Sequence, residues 1–383
     1  MLDLTRLLPG GYATLLMADL GADVVKLEQP GRGDYIRWTP PMVEDLSASH
    51  IALNRNKRSV TLDLKTERGR DIFLDLAGGF DLVVESFRPG VMDRLGVGWE
   101  VLHKRHPRLI YCAITGYGQD GPRALTAGHD VNYIGYAGVL GINGAEDDRP
   151  VIPGVQVGDL AGGGMAAVIA VLSALLQRAT TGRGDFCDIA MMDGAVSWLS
   201  IHAGEFVATG RSPQRERMHL SGAYPCYRVY PAADGWLSVG ALEPQFWAAL
   251  CTALERPDLA NDGFAVGERK REVIAELEAL FARHTRAEWM ERFEGRDVCV
   301  GPVNDFAEAF DDPQVRHRDM VYAAEVPGVG DWQHIGNPIR VGDTGGKADR
   351  SPPPRLGEHT AEILGETGLG ADEVEELRAA GIV

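Results

Sequence analysis

The sequence is short of paired cysteines, of net positive charge and of long apolar runs, and each shortage removes a class of function. Its five cysteines, Cys112, Cys187, Cys226, Cys251 and Cys299, stand singly, without the close pairs that hold zinc or carry dithiol chemistry. An odd, scattered set argues against a secreted disulfide scaffold and for a reduced, intracellular setting. Formal charge is −17, from 38 basic and 55 acidic residues, so the chain as a whole repels a nucleic acid backbone or an anionic membrane, and neither is expected as a partner. The longest nearly unbroken apolar run, 165–176, is about half of what an α-helix needs to cross a bilayer, and it reads as a buried helix. No basic segment followed by an apolar stretch opens the chain, so no secretory signal is read and a cytoplasmic protein is expected. Internal repeats and low-complexity domains are missing too.

What is there is an alternation of strand and helix patterns. At 383 residues the chain exceeds the size at which a single core usually stops growing, so two lobes are expected. Residues 2–8 read as a strand, Pro9-Gly10-Gly11 as a turn, 12–20 as a helix and 22–28 as a second strand. Gly21 suits the position just past a helix end, and Pro30-Gly31 should stop extended pairing. A βαβ opening implies a parallel sheet with helices on both faces. Further strands are expected over 59–64, 82–85, 109–114 and 188–190, and helices over 68–76, 91–95, 128–140 and 162–177. From about Ser221 the texture changes, with strands over 224–229 and 236–239 and helices over 245–254 and 269–283. The expected organisation is a large Rossmann-like α/β domain over 1–200, a small α+β domain over 221–321, and a C-terminal segment over 322–383 that returns to the large domain.

An anionic ligand needs a local basic cluster in so acidic a chain. Arg32, Arg37, Arg55, Lys57, Arg58, Lys65, Arg68, Arg70 and Arg88 supply one, which reads either as a polyphosphate site or as surface charge balanced by neighbouring acids. Five segments in order bear on that choice: Leu4-Thr5-Arg6-Leu7-Leu8-Pro9-Gly10, Gly21-Ala22-Asp23-Val24-Val25-Lys26, Asn54-Arg55-Asn56-Lys57-Arg58-Ser59, Leu62-Asp63-Leu64-Lys65 and Phe87-Arg88-Pro89-Gly90. They resemble the successive signatures of family III CoA transferases and their 2-methylacyl-CoA racemase relatives. The resemblance implies an acyl-CoA thioester substrate whose adenosine diphosphate lies near Arg32 or Arg37, Leu62, Asp63, Leu64, Lys65 and Arg88. It also implies an interlocked homodimer, and several further residues ahead of Leu2 that complete the first strand, so the start of the chain reads as truncated or misassigned.

Ala127-Gly128-His129-Asp130-Val131-Asn132-Tyr133 resembles the Gly-His-Asp-x-Asn-Tyr motif of the racemase branch, in which Gly128, Asp130, Asn132 and Tyr133 would surround the substrate. Inverting a carbon α to a thioester takes a proton from one face and returns one to the other, so two groups are needed. The resemblance assigns those roles to His129 and Asp159, and to Glu243 the hydrogen bond that orients His129. Each has a plainer reading: His129 as a packed or capping residue, Asp159 as a helix N-cap, and Glu243 as a surface acid before Pro244. In transferase relatives the aspartate matching Asp159 forms a covalent anhydride and then a CoA thioester, so Asp159 does not choose between branches. Gly162-Gly163-Gly164 reads equally as a ligand approach or as helix packing. Cys299 has no adjacent His or Cys and is not expected to be a nucleophile. The preferred expectation is epimerisation of a 2-methylacyl-CoA without metal or redox cofactor. CoA transfer through Asp159 is the alternative, and a non-catalytic CoA-binding protein is a third.

Overall fold

The computed structural model describes residues 1–146, 149–342 and 351–383. The chain divides into two compact units. The first comprises Met1–Val139, Pro153–Ser200 and Pro313–Val383, and the second Leu140–Ile152 and Ile201–Asp312.

The first unit is built on six strands, β1 (Leu2–Asp3), β2 (Val24–Glu28), β3 (Lys57–Thr61), β4 (Leu82–Glu85), β5 (Ile110–Thr115) and β6 (Phe186–Ala190). All pair in parallel. In these labels the spatial order is 3-2-1-4-5-6, the doubly wound order in which the chain reverses its progress across the sheet between β1 and β4. Strands covered on both faces read as continuous apolar runs, and the pleat sends alternate residues to opposite cores. Val25, Val60 and Val83 join Ile72, Phe73, Ile363 and Leu377 on one face. Val24, Leu82 and Val84 join Leu16, Val168 and Val171 on the other.

The first strand differs from the expectation of 2–8. It ends at Asp3, and the helix Leu7–Asp19 already contains Pro9-Gly10-Gly11. Asp3 is the cause, because its buried carboxylate accepts from Thr5 N and Oγ1 at 2.9 and 2.6 Å and from Thr14 Oγ1 at 2.7 Å. Those bonds turn the chain out of the sheet. Pro9 is tolerated because first-turn amides have no intrahelical acceptor, and a Cβ on Gly10 would sit 2.2 Å from Thr5 Cβ. The strand expected at 59–64 begins and ends earlier, at Lys57 and Thr61, which leaves Leu62 to Lys65 on the loop after it. The helix expected over 128–140 spans Asp130–Ala137 and stops at Gly138, whose φ is +92°.

The apolar run 165–176 lies in a longer continuous helix, Gly158–Thr181, of 24 residues, which by length and composition alone could cross a bilayer. Its opening turns, Gly158–Met165, are π-wound. Only one face is buried, through Ala167, Val168, Val171 and Ala174, while Ile169, Leu172 and Leu176 are exposed. The expectation of a wholly buried helix is corrected to that extent.

The second unit holds a three-stranded antiparallel sheet of β7 (Tyr227–Ala232), β8 (Gly235–Gly240) and β9 (Val300–Pro302). Helices Pro244–Ala253, Gly267–Phe281 and Arg286–Phe293 pack on it through Trp247, Phe281 and Trp289.

Candidate active site

In open doubly wound sheets the crevice lies beyond the carboxyl ends of the strands at the point of reversal. Here the chain leaves β1 through Leu4, Thr5 and Arg6 and leaves β4 through Ser86, Phe87 and Arg88. Leu4 N donates to Val84 O at 2.8 Å, and Arg6 N to Ser86 Oγ at 2.9 Å, which binds the two exits together. Two clefts open there. One, of about 470 Å³, is lined by Gly128, His129, Asn132, Tyr133 and Asp159 among others. The second, of about 520 Å³, is lined by Leu62, Asp63, Leu64, Lys65 and Tyr35 among others. Arg6, Phe87 and Arg88 line both.

His129 is the exposed residue ahead of the helix Asp130–Ala137, with its backbone N donating to Asn132 Oδ1 at 3.1 Å. Tyr133 Oη donates to Gly128 O. A Cβ on Gly128 would stand 2.8 Å from the Tyr133 ring and 2.7 Å from the Tyr117 hydroxyl, so only glycine fits beneath the two rings. Burial, reinforced by the Asp159 charge, pushes the Tyr133 hydroxyl up to about 12. The Tyr117 hydroxyl is buried against this segment without a hydrogen-bond partner among the described residues.

Asp159 enters the same cleft from the π-wound turn. Burial, and then the negative charge of Asp130, push its carboxyl up to about 7. It is therefore an acid or a base near neutral pH, the condition for useful proton transfer. Asp130 itself is buried and does not line the cleft; its Oδ1 accepts the Asp159 backbone N–H at 2.9 Å. Gly162 to Gly164 turn against protein, since Cβ atoms there would meet Met191 O, Met191 Cγ and Pro9 O within 3.0 Å. Helix packing accounts for them.

The basic cluster separates into two populations. Arg37 is held by Glu28 through Nε at 2.7 Å and Nη2 at 2.5 Å, and it also donates to Pro354 O at 3.0 Å. Arg55, Lys57 and Arg58 pair with Asp19, Asp3 and Asp23 at 2.5, 3.3 and 2.8 Å, and Arg68 pairs with Glu373. The buried pairs of Arg37, Arg55 and Lys57 hold the fold together, whereas Arg58 and Arg68 are neutralised at the surface. Lys65 and Arg88 are exposed at the clefts, and Arg32 is exposed on the loop after β2. Arg6 joins the clefts as well, although its place in the first signature segment suggests no role for it. Its guanidinium lies 5.4 and 5.0 Å from the ring centres of Tyr35 and Phe87, a cation–π arrangement on the shared wall. The sequence hides Arg6, because a strand expected over 2–8 holds it within the sheet, and only the early end of β1 at Asp3 brings it to the clefts.

Glu243 belongs to the second unit, as the residue before the helix Pro244–Ala253. Burial, with the Glu243 and Asp297 charges, pushes the Cys299 thiol up, which disfavours the thiolate a nucleophile needs.

The CoA-transferase family III model matches residues 1–360. This chain belongs to that family. Succinyl-CoA:glutarate CoA-transferase of Mus musculus is 37% identical over 391 residues, which cover 100% of this chain and 89% of the relative. Alpha-methylacyl-CoA racemase of Homo sapiens is 33% identical over 392 residues, covering 100% and 96%. A solved CAIB/BAIF family protein from Brucella suis superposes with a TM-score of 0.82 at 34% identity, covering 96% of this chain and 97% of that one.

Proposed function

We propose that this protein epimerises 2-methylacyl-CoA thioesters by 1,1-proton transfer through an enolate. The observation that carries the reading is that His129 and Asp159 line one cleft, with the Asp159 carboxyl held at about 7. One group removes the α-proton, negative charge moves onto the thioester oxygen, and the other group returns a proton to the opposite face. Each must change protonation state in every turnover, which a carboxyl near 7 does readily and an ordinary one does not.

Lys65, Arg88 and Arg6 are assigned to the CoA phosphates and the approach to them, with Leu62, Asp63 and Leu64 walling the second cleft. Asn132 and Tyr133 shape the reacting cleft, and the orienting of the imidazole is assigned to Glu243 acting in trans, from the partner of the expected homodimer. No cofactor is invoked, because CoA belongs to the substrate. The expected homodimer finds support in the helix Ser200–Thr209, where no residue is buried and Ile201, Phe206 and Val207 are exposed.

A second reading, CoA transfer between carboxylic acids with Asp159 as nucleophile, is favoured by the full-length likeness to a transferase. One experiment divides the two. A single epimer of a 2-methylacyl-CoA incubated in deuterated water should yield both epimers with deuterium at the α position. Persistence of the epimer, with CoA moving to an added carboxylate, would replace racemase by transferase.

A further inference from the structure

Asp130 follows His129 directly, yet its side chain turns inward and is 8% exposed. Its Oδ1 receives the backbone N–H of Asp159 at 2.9 Å. That N–H belongs to the first turn of the helix starting at Gly158, where amides lack intrahelical acceptors. A carboxylate from one helix thus caps the start of another. The approach depends on glycine, since a Cβ on Gly158 would lie 3.0 Å from Asp130 Oδ1 and 3.2 Å from Ile134 Cγ2. π-Wound turns are frequent at functional sites, and this one bears Asp159.

We propose that Asp130 is a positioning residue, a strut that ties the Asp159 turn to the segment carrying His129 and so sets the geometry of the proton-transfer pair. The proposal rests on Asp159 carrying protons. The titratable groups on the neighbouring elements are Tyr12 and Asp19 on Leu7–Asp19, Arg178 on Ala166–Thr181, Asp193 on Met191–Ser197, Tyr111 and Cys112 on β5, Cys187 and Asp188 on β6, and His129, Tyr133 and Tyr136 at the helix Asp130–Ala137. Asp19 is neutralised by Arg55. The charge that acts on Asp159 is that of Asp130. One side chain therefore both places the carboxylate and favours its protonated form.

Two substitutions separate those effects. Asp130→Asn keeps an oxygen acceptor and removes the charge, whereas Asp130→Ala removes both. In the full-length protein the Asp159 protonation midpoint is followed by the protonated-carboxyl infrared band, assigned by its loss in Asp159→Asn. Removing a close like charge lowers proton affinity roughly tenfold or more. Asp130→Asn is expected to move the infrared midpoint down from about 7 and to carry the pH dependence of kcat with it, with KM nearly unchanged. Asp130→Ala should in addition lower kcat on the order of a hundredfold, the size of effect that small misplacements produce. An infrared midpoint in Asp130→Asn equal to that of the parent overturns the proposal, as does a folded Asp130→Ala that turns over at the parent rate. If Asp130→Ala does not fold by circular dichroism, Asp130→Asn decides alone. The infrared titration requires no turnover, so it tests Asp130 equally well in a protein that transfers CoA instead of epimerising.

Discussion

The Arg6 guanidinium stands 5.0 Å from the centre of the Phe87 ring, on the wall common to both clefts. A cation fixed by aromatic faces keeps its N–H donors for another partner. Arg6→Ala, Lys65→Ala and Arg88→Ala are each expected to weaken CoA binding roughly tenfold or more, the scale of a charge-assisted hydrogen bond. Each should also flatten the dependence of affinity on salt. Calorimetric titration at two ionic strengths checks both effects, and unchanged affinity in all three would return these cations to solvated surface.

Arg37→Ala should behave in the opposite way. Its side chain and that of Glu28 are 9% and 3% exposed and are joined at 2.5 Å, so the substitution leaves a buried carboxylate without its partner. Such losses cost about 3–5 kcal/mol. Denaturant unfolding should show that loss, while the fraction still folded binds CoA as before. A stable Arg37→Ala protein with weakened CoA affinity would move Arg37 into the binding site.

The contrast between Arg37 and Arg88 shows what a sequence can and cannot tell. β4 is legible to the residue, because the apolar run Leu82-Val83-Val84, closed by Glu85, fills the space between Asp81 and Ser86. The doubly wound sheet follows from strand–helix alternation, and His129 and Asp159 from motifs. The division of the cations does not follow, since it depends on which carboxylates the sheet brings close: Glu28 is nine positions from Arg37, but Asp3 is 54 from Lys57. Asp130 presents the same difficulty. Its motif places it beside the substrate, whereas its buried oxygen serves a backbone amide 29 positions away. The start of the first helix is hidden because Pro and Gly punctuate most chains, and here they fill a first turn closed down by Asp3.

His129→Ala should abolish inversion and leave CoA affinity nearly intact, because the nucleotide is assigned to the second cleft. General acid–base groups contribute about two to four powers of ten in rate. With Asp159 kept, one epimer should still exchange its α-proton with deuterated solvent while no inverted product forms. Chiral chromatography with mass detection follows both events. Inversion at the parent rate by a folded His129→Ala protein would remove His129 from the chemistry.

The exposed apolar side chains of the helix Ser200–Thr209 predict self-association. Sedimentation should give twice the 41.5 kDa chain mass, and Phe206→Asp with Val207→Asp should shift it towards the single chain without loss of helical circular dichroism. A parent protein that sediments as one chain at micromolar concentration would end the dimer proposal.

Asp159 should also cost the fold stability, and the sign of its pH dependence is determined. Its carboxyl sits at about 7 in the folded state against 3.8 as the ordinary value, so the folded state holds this proton more tightly than the unfolded chain does. Folding stability therefore falls as pH rises from about 4 to about 7, and the loss is complete above that window. At about 1.4 kcal/mol for each tenfold change in proton affinity, the full difference amounts to about 4 kcal/mol. Asp159→Asn cannot ionise and escapes it. Thermal or denaturant unfolding should find Asp159→Asn more stable than the parent at pH 8, by up to about 4 kcal/mol, with the gap narrowing steadily towards pH 4. The same variant should lose epimerisation, so activity and stability move in opposite directions at one position, as they do where a buried charge is kept for its chemistry. A gap that stays constant across this pH range would mean that Asp159 titrates as an ordinary carboxylate, and the acid–base argument for the racemase reading would lose its footing.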